Sequence, residues 1–461
     1  MSDYNLPDNF YADLQKLGVR YAGAYLINKF FIRIDTDKRK ADIPSYNYND
    51  NSFSDDDQMM LQRENYPTLF HEYIHYIHEV STMAGITQFY LNIVNRSIFS
   101  EFVSLPDTSI PLPVSGEKKI MFDKINRTLE AATGGSLHDL DDRLIFRIDH
   151  IDLFDFPAYE PSRDLDAPIK VPMITYSYLD EATGKEAQDS VFFGKYFIYE
   201  GLAHHLDQLV TAQLNRPLTP KRLVKPEYKL LELIAKYYFP GIDERSMLEL
   251  ASMSLCYFNC GHRFISMIEE AAGVPYLPGF VMEIHNEVYD HFKEHEEEIR
   301  FTLEEIKKIF AKRAGMHAAA SHLCDVMMNA YEQRMKRPTF EIDITYSGHL
   351  KEMRSFVDLC DMVYELADED KYMRDYAGTY LTNQLASDLQ IFLCHVDYFQ
   401  TSVAEVEEHC CPLYTFCPHR IRQEKPEQCA KTPRLAYEDN VEYGWCHYSR
   451  GVAYMTGQDV A

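Results

Sequence analysis

The chain has 461 residues, 46% of them hydrophobic and 13% aromatic, enough apolar material for two or three domains with substantial cores. Its 72 Asp and Glu against 46 Lys and Arg leave a net charge of −26, which argues against nucleic acid or an anionic membrane surface and for proteins, peptides or small ligands as partners. No run approaches the ~18 apolar residues of a membrane span, and Met1-Ser2-Asp3-Tyr4-Asn5 has neither the basic nor the apolar region of a signal peptide, so a cytoplasmic protein is expected.

In residues 19–36, Tyr25, Leu26, Ile27, Phe30, Phe31, Ile32 and Ile34 form an apolar stretch whose end alternates as a strand does, so part of a small sheet is expected there. A polar loop follows over residues 36–58. Pro67 suits the first turn of a helix, and Leu69, Phe70, Tyr73, Ile74, Ile77 and Val80 recur at three- and four-residue spacings that define a buried face. Gly85 is expected to separate this helix from another over residues 87–102.

Residues 105–119 carry Pro106, Pro111, Pro113 and Gly116 and read as a loop, followed by a short helix over residues 119–132. Pro157, Pro161, Pro168 and Pro172 mark an irregular segment. Ile174, Tyr176 and Tyr178 then alternate with polar residues as a strand, residues 181–186 as its turn, and residues 190–193 as the returning strand of a hairpin. From about Tyr196 the pattern is helical, with helices expected over residues 230–237 and 247–268, a capping box at Thr302 and Glu305 opening a helix that ends near Gly315, and periodic segments through Asp397. Residues 294–298 are a solvated acidic run. The expected class is α+β: a catalytic core over residues 1–220 with an insertion at about 103–170, a helical domain over 221–405, and a Cys-rich tail over 406–461.

The chemistry concentrates in Thr68-Leu69-Phe70-His71-Glu72-Tyr73-Ile74-His75-Tyr76-Ile77. His71 and His75 lie one turn apart on the expected helix, so they can bind one zinc ion together, and Glu72 can reach a metal-bound water as general base. The bland reading is a buried helix whose histidines bond to neighbours. These residues resemble the zincin superfamily of zinc metallopeptidases, whose extended motif also fits Thr68, the uncharged Tyr73 and Ile74, and Ile77. The resemblance implies a zincin-like peptidase core, a catalytic Zn2+ and a protein or peptide substrate.

Catalytic zinc takes three protein ligands and leaves one position to water. In Phe197-Ile198-Tyr199-Glu200-Gly201-Leu202-Ala203-His204-His205, Glu200 resembles the third ligand of the gluzincin branch, carried there in a Glu-Gly-x-Ala signature. The resemblance implies His71, His75 and Glu200 as ligands, with His204 and Asp207 as groups that orient them. His78 competes for the third position. Seven residues at ~1.5 Å each place it about 10 Å along the helix from His71, too far for one ion, so it is expected to line the cleft or bond to backbone. No oxyanion donor stands out among 33 Tyr and 18 His.

Cys410, Cys411, Cys417, Cys429 and Cys446 place half of the ten cysteines in the last 52 residues. Cys411, Cys417, Cys429 and Cys446 can close a second, structural Zn2+ site or hold an iron–sulfur cluster, although the spacing lacks paired C-x-x-C knuckles, and free buried thiols are the alternative. Arg420, Arg422, Lys425, Lys431 and Arg434 could form a local basic patch for a nucleic acid or acidic ligand, with solvated surface as the commoner reading. Cys256 and Cys260 are core residues or, with His262, part of a metal site. The leading expectation is a cytoplasmic zinc metallopeptidase under the control of a regulatory partner. Its rivals are a metal-stabilised interaction or sensor protein without catalysis, and a zinc hydrolase acting on a non-peptide amide.

Overall fold

Pro67 and the uninterrupted apolar spacing behind it produce the first long helical segment, and its surroundings are more enclosed than a single apolar face requires. In the computed structural model, which describes residues 23–26, 31–35, 70–100, 115–135, 143–160, 165–180, 184–213, 226–311, 314–347, 363–367 and 372–375, α1 spans residues 70–81 and all of them are buried. The helix breaks at Thr82, three residues before the expected Gly85, and α2 runs over Met83–Ser100. The Thr82 hydroxyl donates to the His78 carbonyl and accepts the Gly85 N–H at 3.1 Å, so it ends one helix and caps the next. Gly85 serves close approach instead: a Cβ there would lie 2.3 Å from the Glu79 carbonyl oxygen.

Helix α3, Gly116–Thr133, leads to a three-stranded antiparallel sheet of β3 (Arg143–Glu160), β4 (Leu165–Asp180) and β5 (Lys185–Phe192) in that order. Pro157 in β3 and Pro168 and Pro172 in β4 are therefore strand residues, not irregular chain, and Pro161 lies outside the described residues. Pairing between β4 and β5 covers only Met173 to Asp180, so Pro168 occurs where β4 has β3 alone as a neighbour and a missing N–H on the open side breaks no ladder. The returning strand begins earlier than the expected 190–193, since Lys185 pairs with Asp180 and takes Lys185 and Glu186 out of the expected turn over 181–186. At the far end of β5, Phe193 N–H donates to the Pro172 carbonyl, and the chain turns at once into α4, Lys195–Gln213.

The remaining helices are α5 (Pro226–Tyr238), α6 (Glu244–Ser254), α7 (Cys260–Ala272), α8 (Leu277–Ile309), α9 (Ala314–Lys336) and α10 (Phe340–Ser347). Two expectations give way here. The helix expected over 247–268 is interrupted by the turn at residues 255–259, where the Leu255 carbonyl accepts the Ala84 N–H and ties the turn to the start of α2. Thr302 caps nothing: it is buried inside the 33-residue α8, because the Glu- and Lys-rich sequence on either side contains no breaker. One apolar cluster runs continuously from Phe70 to Ile344 and joins side chains of α1, α2 and α4 to α10.

A second sheet has the order β1 (Gly23–Leu26), β2 (Phe31–Asp35), β6 (Val363–Ala367), β7 (Tyr372–Asp375), with β2 and β6 parallel. The strand expected in residues 19–36 is thus present as a hairpin. Helices and antiparallel strands together make the protein α+β. Among the described residues no helix is long and apolar enough to cross a membrane.

Candidate metal centre

Helices α1 and α4 cross so that three donor groups meet. His71 Nε2 and His75 Nε2 each lie 3.5 Å from Glu200 Oε2, and the two imidazole rings stand nearly perpendicular with centroids 4.9 Å apart. One ligand atom from each of the three lies within 4.8 Å of the others. Two ligand atoms bound tetrahedrally at ~2.1 Å are separated by about 3.4 Å, so the spacing fits a small ion such as zinc, and two imidazoles with one carboxylate form a donor set used for catalytic zinc. The long gap of chain between His75 and Glu200 is spanned by α2, α3 and the sheet, which return α4 to the side of α1.

Behind His71, Asp207 completes the arrangement: the ring Nδ1–H donates to Asp207 Oδ2 at 2.9 Å, about two turns along α4 from Glu200. The bond fixes the tautomer and leaves the Nε2 lone pair facing Glu200. Burial alone would lower the pKa of His71, but the bonds to Asp207 and Glu200 and the charge of Glu72 outweigh it and hold it well above its ordinary value. Burial would conversely raise Glu200, and the charges and bonds of His75 and His71 hold it far below the carboxylate range. The pocket therefore favours a positive charge between these groups. Glu72, the residue after His71, is buried and its carboxylate acts electrostatically on both His71 and Tyr228.

Tyr228, in the first turn of α5, is the residue that sequence reasoning missed. Its ring meets His71 edge-on at 5.6 Å and stacks on His204 at 4.8 Å with a 10° interplanar angle. Burial and then the charges of Glu200, Glu227 and Glu72 raise its pKa well above the usual phenol value, so it stays a hydroxyl donor at neutral pH. Nothing in Lys225-Pro226-Glu227-Tyr228 distinguishes this tyrosine from the rest of the 33. His204 accordingly supports Tyr228 by stacking, whereas Asp207 supports His71. No family model, curated protein or solved structure matches the chain.

His78 neither lines the cleft nor bonds to backbone. It is fully buried, with Nε2 2.9 Å from Glu341 Oε1 on α10, because α10 packs across the far side of α1. Glu341 also meets Arg334 Nη1 at 3.2 Å and accepts from Ser252 Oγ, while Arg334 Nε donates to Ser81 Oγ at 2.7 Å. This buried network holds the C-terminal end of α1 to three later helices, and Tyr199 lies between His78 and His75, stacked on the latter at 6.0 Å. Cys256 and Cys260 sit in the core with thiol pKa values pushed up to about 12 by burial, so they are packing residues and join no metal-binding group among the described residues. Cys411, Cys417, Cys429 and Cys446 lie outside the described residues.

Proposed function

We propose that the chain is a zincin-like zinc metallopeptidase that hydrolyses peptide bonds, with its catalytic core assembled from α1, α4, α5 and the adjoining antiparallel sheet. The observation that carries this reading is the convergence of His71, His75 and Glu200 at tetrahedral spacing beside a buried Glu72. A structural site would have no use for that additional carboxylate, which favours catalysis over a purely scaffolding role. When bound, the ion would supply Lewis acidity toward water and toward a substrate carbonyl oxygen.

The protein's own groups do the rest. His71, oriented by Asp207, and His75, stacked on Tyr199, hold their imidazoles toward Glu200. Glu72 takes the proton from the attacking water and returns it to the departing amine. The Tyr228 hydroxyl donates a hydrogen bond where negative charge grows on the scissile carbonyl oxygen.

The test measures bound zinc and cleavage of a mixed quenched-fluorescent peptide library by wild type, Glu72→Gln and Glu200→Ala. Glu72→Gln is expected to keep all its zinc and lose cleavage, and Glu200→Ala to lose one equivalent of zinc together with cleavage. Undiminished cleavage by Glu72→Gln overturns the mechanism, and full zinc affinity in Glu200→Ala overturns the ligand set. Zinc kept by wild type and Glu72→Gln but lost from the site in Glu200→Ala, with no peptide cleaved by wild type, would leave the metal centre and remove the peptidase.

A further inference from the structure

Far along the chain from α1, one helix carries a second group of metal-binding side chains. In His291-Phe292-Lys293-Glu294-His295, the apolar Phe292 is buried, while His291, Glu294 and His295 at positions i, i+3 and i+4 share the opposite face of α8. One ligand atom from each lies within 4.8 Å of the other two, and the imidazole centroids are 4.2 Å apart.

Two further observations point to a ligand. His295 Nδ1–H donates to the His291 carbonyl at 2.9 Å, which fixes its tautomer and presents the Nε2 lone pair. His291 Nε2 is shielded from solvent and has no hydrogen-bond partner, a costly arrangement for a polar atom unless something binds it. Its ring is held in place: Tyr257, from the turn between α6 and α7, stacks on it at 4.2 Å and is itself fixed by donating to Glu287 at 2.8 Å. Arg263, the nearby cation, is neutralised by the same Glu287 carboxylate at 2.5 and 2.6 Å.

We propose that His291, Glu294 and His295 form a second metal site, for a transition ion such as Zn2+. Two imidazoles and one carboxylate favour zinc, cobalt or nickel over the hard magnesium and calcium ions. All three ligands come from one helix, so the remaining coordination positions face solvent and can be taken by water or by a side chain of another molecule.

The test is equilibrium dialysis of the full chain against Zn2+, followed by metal quantification, for wild type and the double variant His291→Gln/His295→Gln. The variant is expected to bind one ion fewer per chain with an unchanged far-UV circular dichroism spectrum, and excess Mg2+ or Ca2+ is expected not to displace that ion from wild type. Equal stoichiometry in the two proteins, or displacement by Mg2+, overturns the site. Should the double variant misfold, diethyl pyrocarbonate mapping of wild type decides. Zn2+ is expected to protect both His291 and His295 from modification, and unchanged modification of either overturns the proposal. None of these readouts depends on peptidase activity or on His71, His75 and Glu200.

Discussion

Asp207 Oδ2 lies 2.9 Å from His71 Nδ1, joining two helices whose residues are 136 positions apart in the chain. Of the two candidate supporting residues after Glu200, Asp207 bonds to His71 and His204 stacks on Tyr228 instead. Removing a carboxylate that orients a metal-binding imidazole typically weakens metal binding by about 10–100-fold. Asp207→Ala is therefore expected to lower zinc affinity by about that factor, measured by competition with a chromophoric chelator. Wild-type affinity in this variant would mean that His71 is not a ligand through Nε2.

Tyr228 gives a separate kinetic prediction, since a donor used in the transition state affects turnover rather than ground-state binding. Tyr228→Phe keeps the ring that packs on His71 and His204 and removes only the hydroxyl. It is expected to reduce kcat by about 100-fold, the usual loss for one oxyanion donor, while KM and zinc content stay near wild type. A change confined to KM or to thermal stability would reduce Tyr228 to a packing residue.

Gly201, next to the proposed third ligand Glu200, is fixed by close approach between helices. A Cβ at this position would lie 2.5 Å from Leu231 Cβ and 2.7 Å from Leu231 Cδ2, and Leu231 is itself fully buried on α5. Gly201→Ala is expected to destabilise the fold by about 1–3 kcal/mol through overpacking and to weaken zinc binding by displacing α4. Leu231→Ala, which removes Cγ and Cδ2 but keeps the closest atom, Cβ, is expected to cost less in the Gly201→Ala background than in wild type, because the two sites share one space. Denaturant melts and zinc competition on the single and double variants test the coupling, and strictly additive effects would contradict it.

What the sequence revealed depended on whether one segment sufficed. His71, Glu72 and His75 were legible because helical periodicity alone places them together, and Glu200 because its neighbours Gly201 and Ala203 form a recognisable signature. Tyr228, Glu341 and Arg334 were not, since each takes its role from tertiary packing that no local spacing encodes. The break at Thr82 was misplaced for a related reason: Gly85 looks like a breaker, yet its lack of a side chain serves a helix crossing. His291, Glu294 and His295 could have been read from their i, i+3, i+4 spacing, but the surrounding acidic run made the segment look like ordinary solvated surface.

His78 makes the stability of the fold depend on pH in a defined window. It is enclosed by Glu341, Arg334, Tyr199 and His75, and its Nδ1 has no partner. Burial, reinforced by the charges of Arg334 and His75, lowers its pKa from 6.5 to about 4 despite the bond and charge of Glu341, so the folded protein holds it neutral. The folded pKa is the lower one, and the unfolded chain therefore takes up the proton first as pH falls. The stabilisation is complete above about 6.5, is lost progressively between about 6.5 and 4, and changes no further below that, for a total on the order of 3 kcal/mol. Because other groups titrate in the same range, the measurement is a difference: urea melts of wild type and His78→Gln at about pH 7.5, 5.5 and 4.5, values chosen to span that window. The stability advantage of wild type over His78→Gln should shrink by most of that amount across the series, since the substituted amide has no proton to gain. A constant difference at all three values would mean that the fold does not shift His78 from 6.5, and an advantage that grows as pH falls would mean that His78 is protonated in the fold and pairs with Glu341 as an ion.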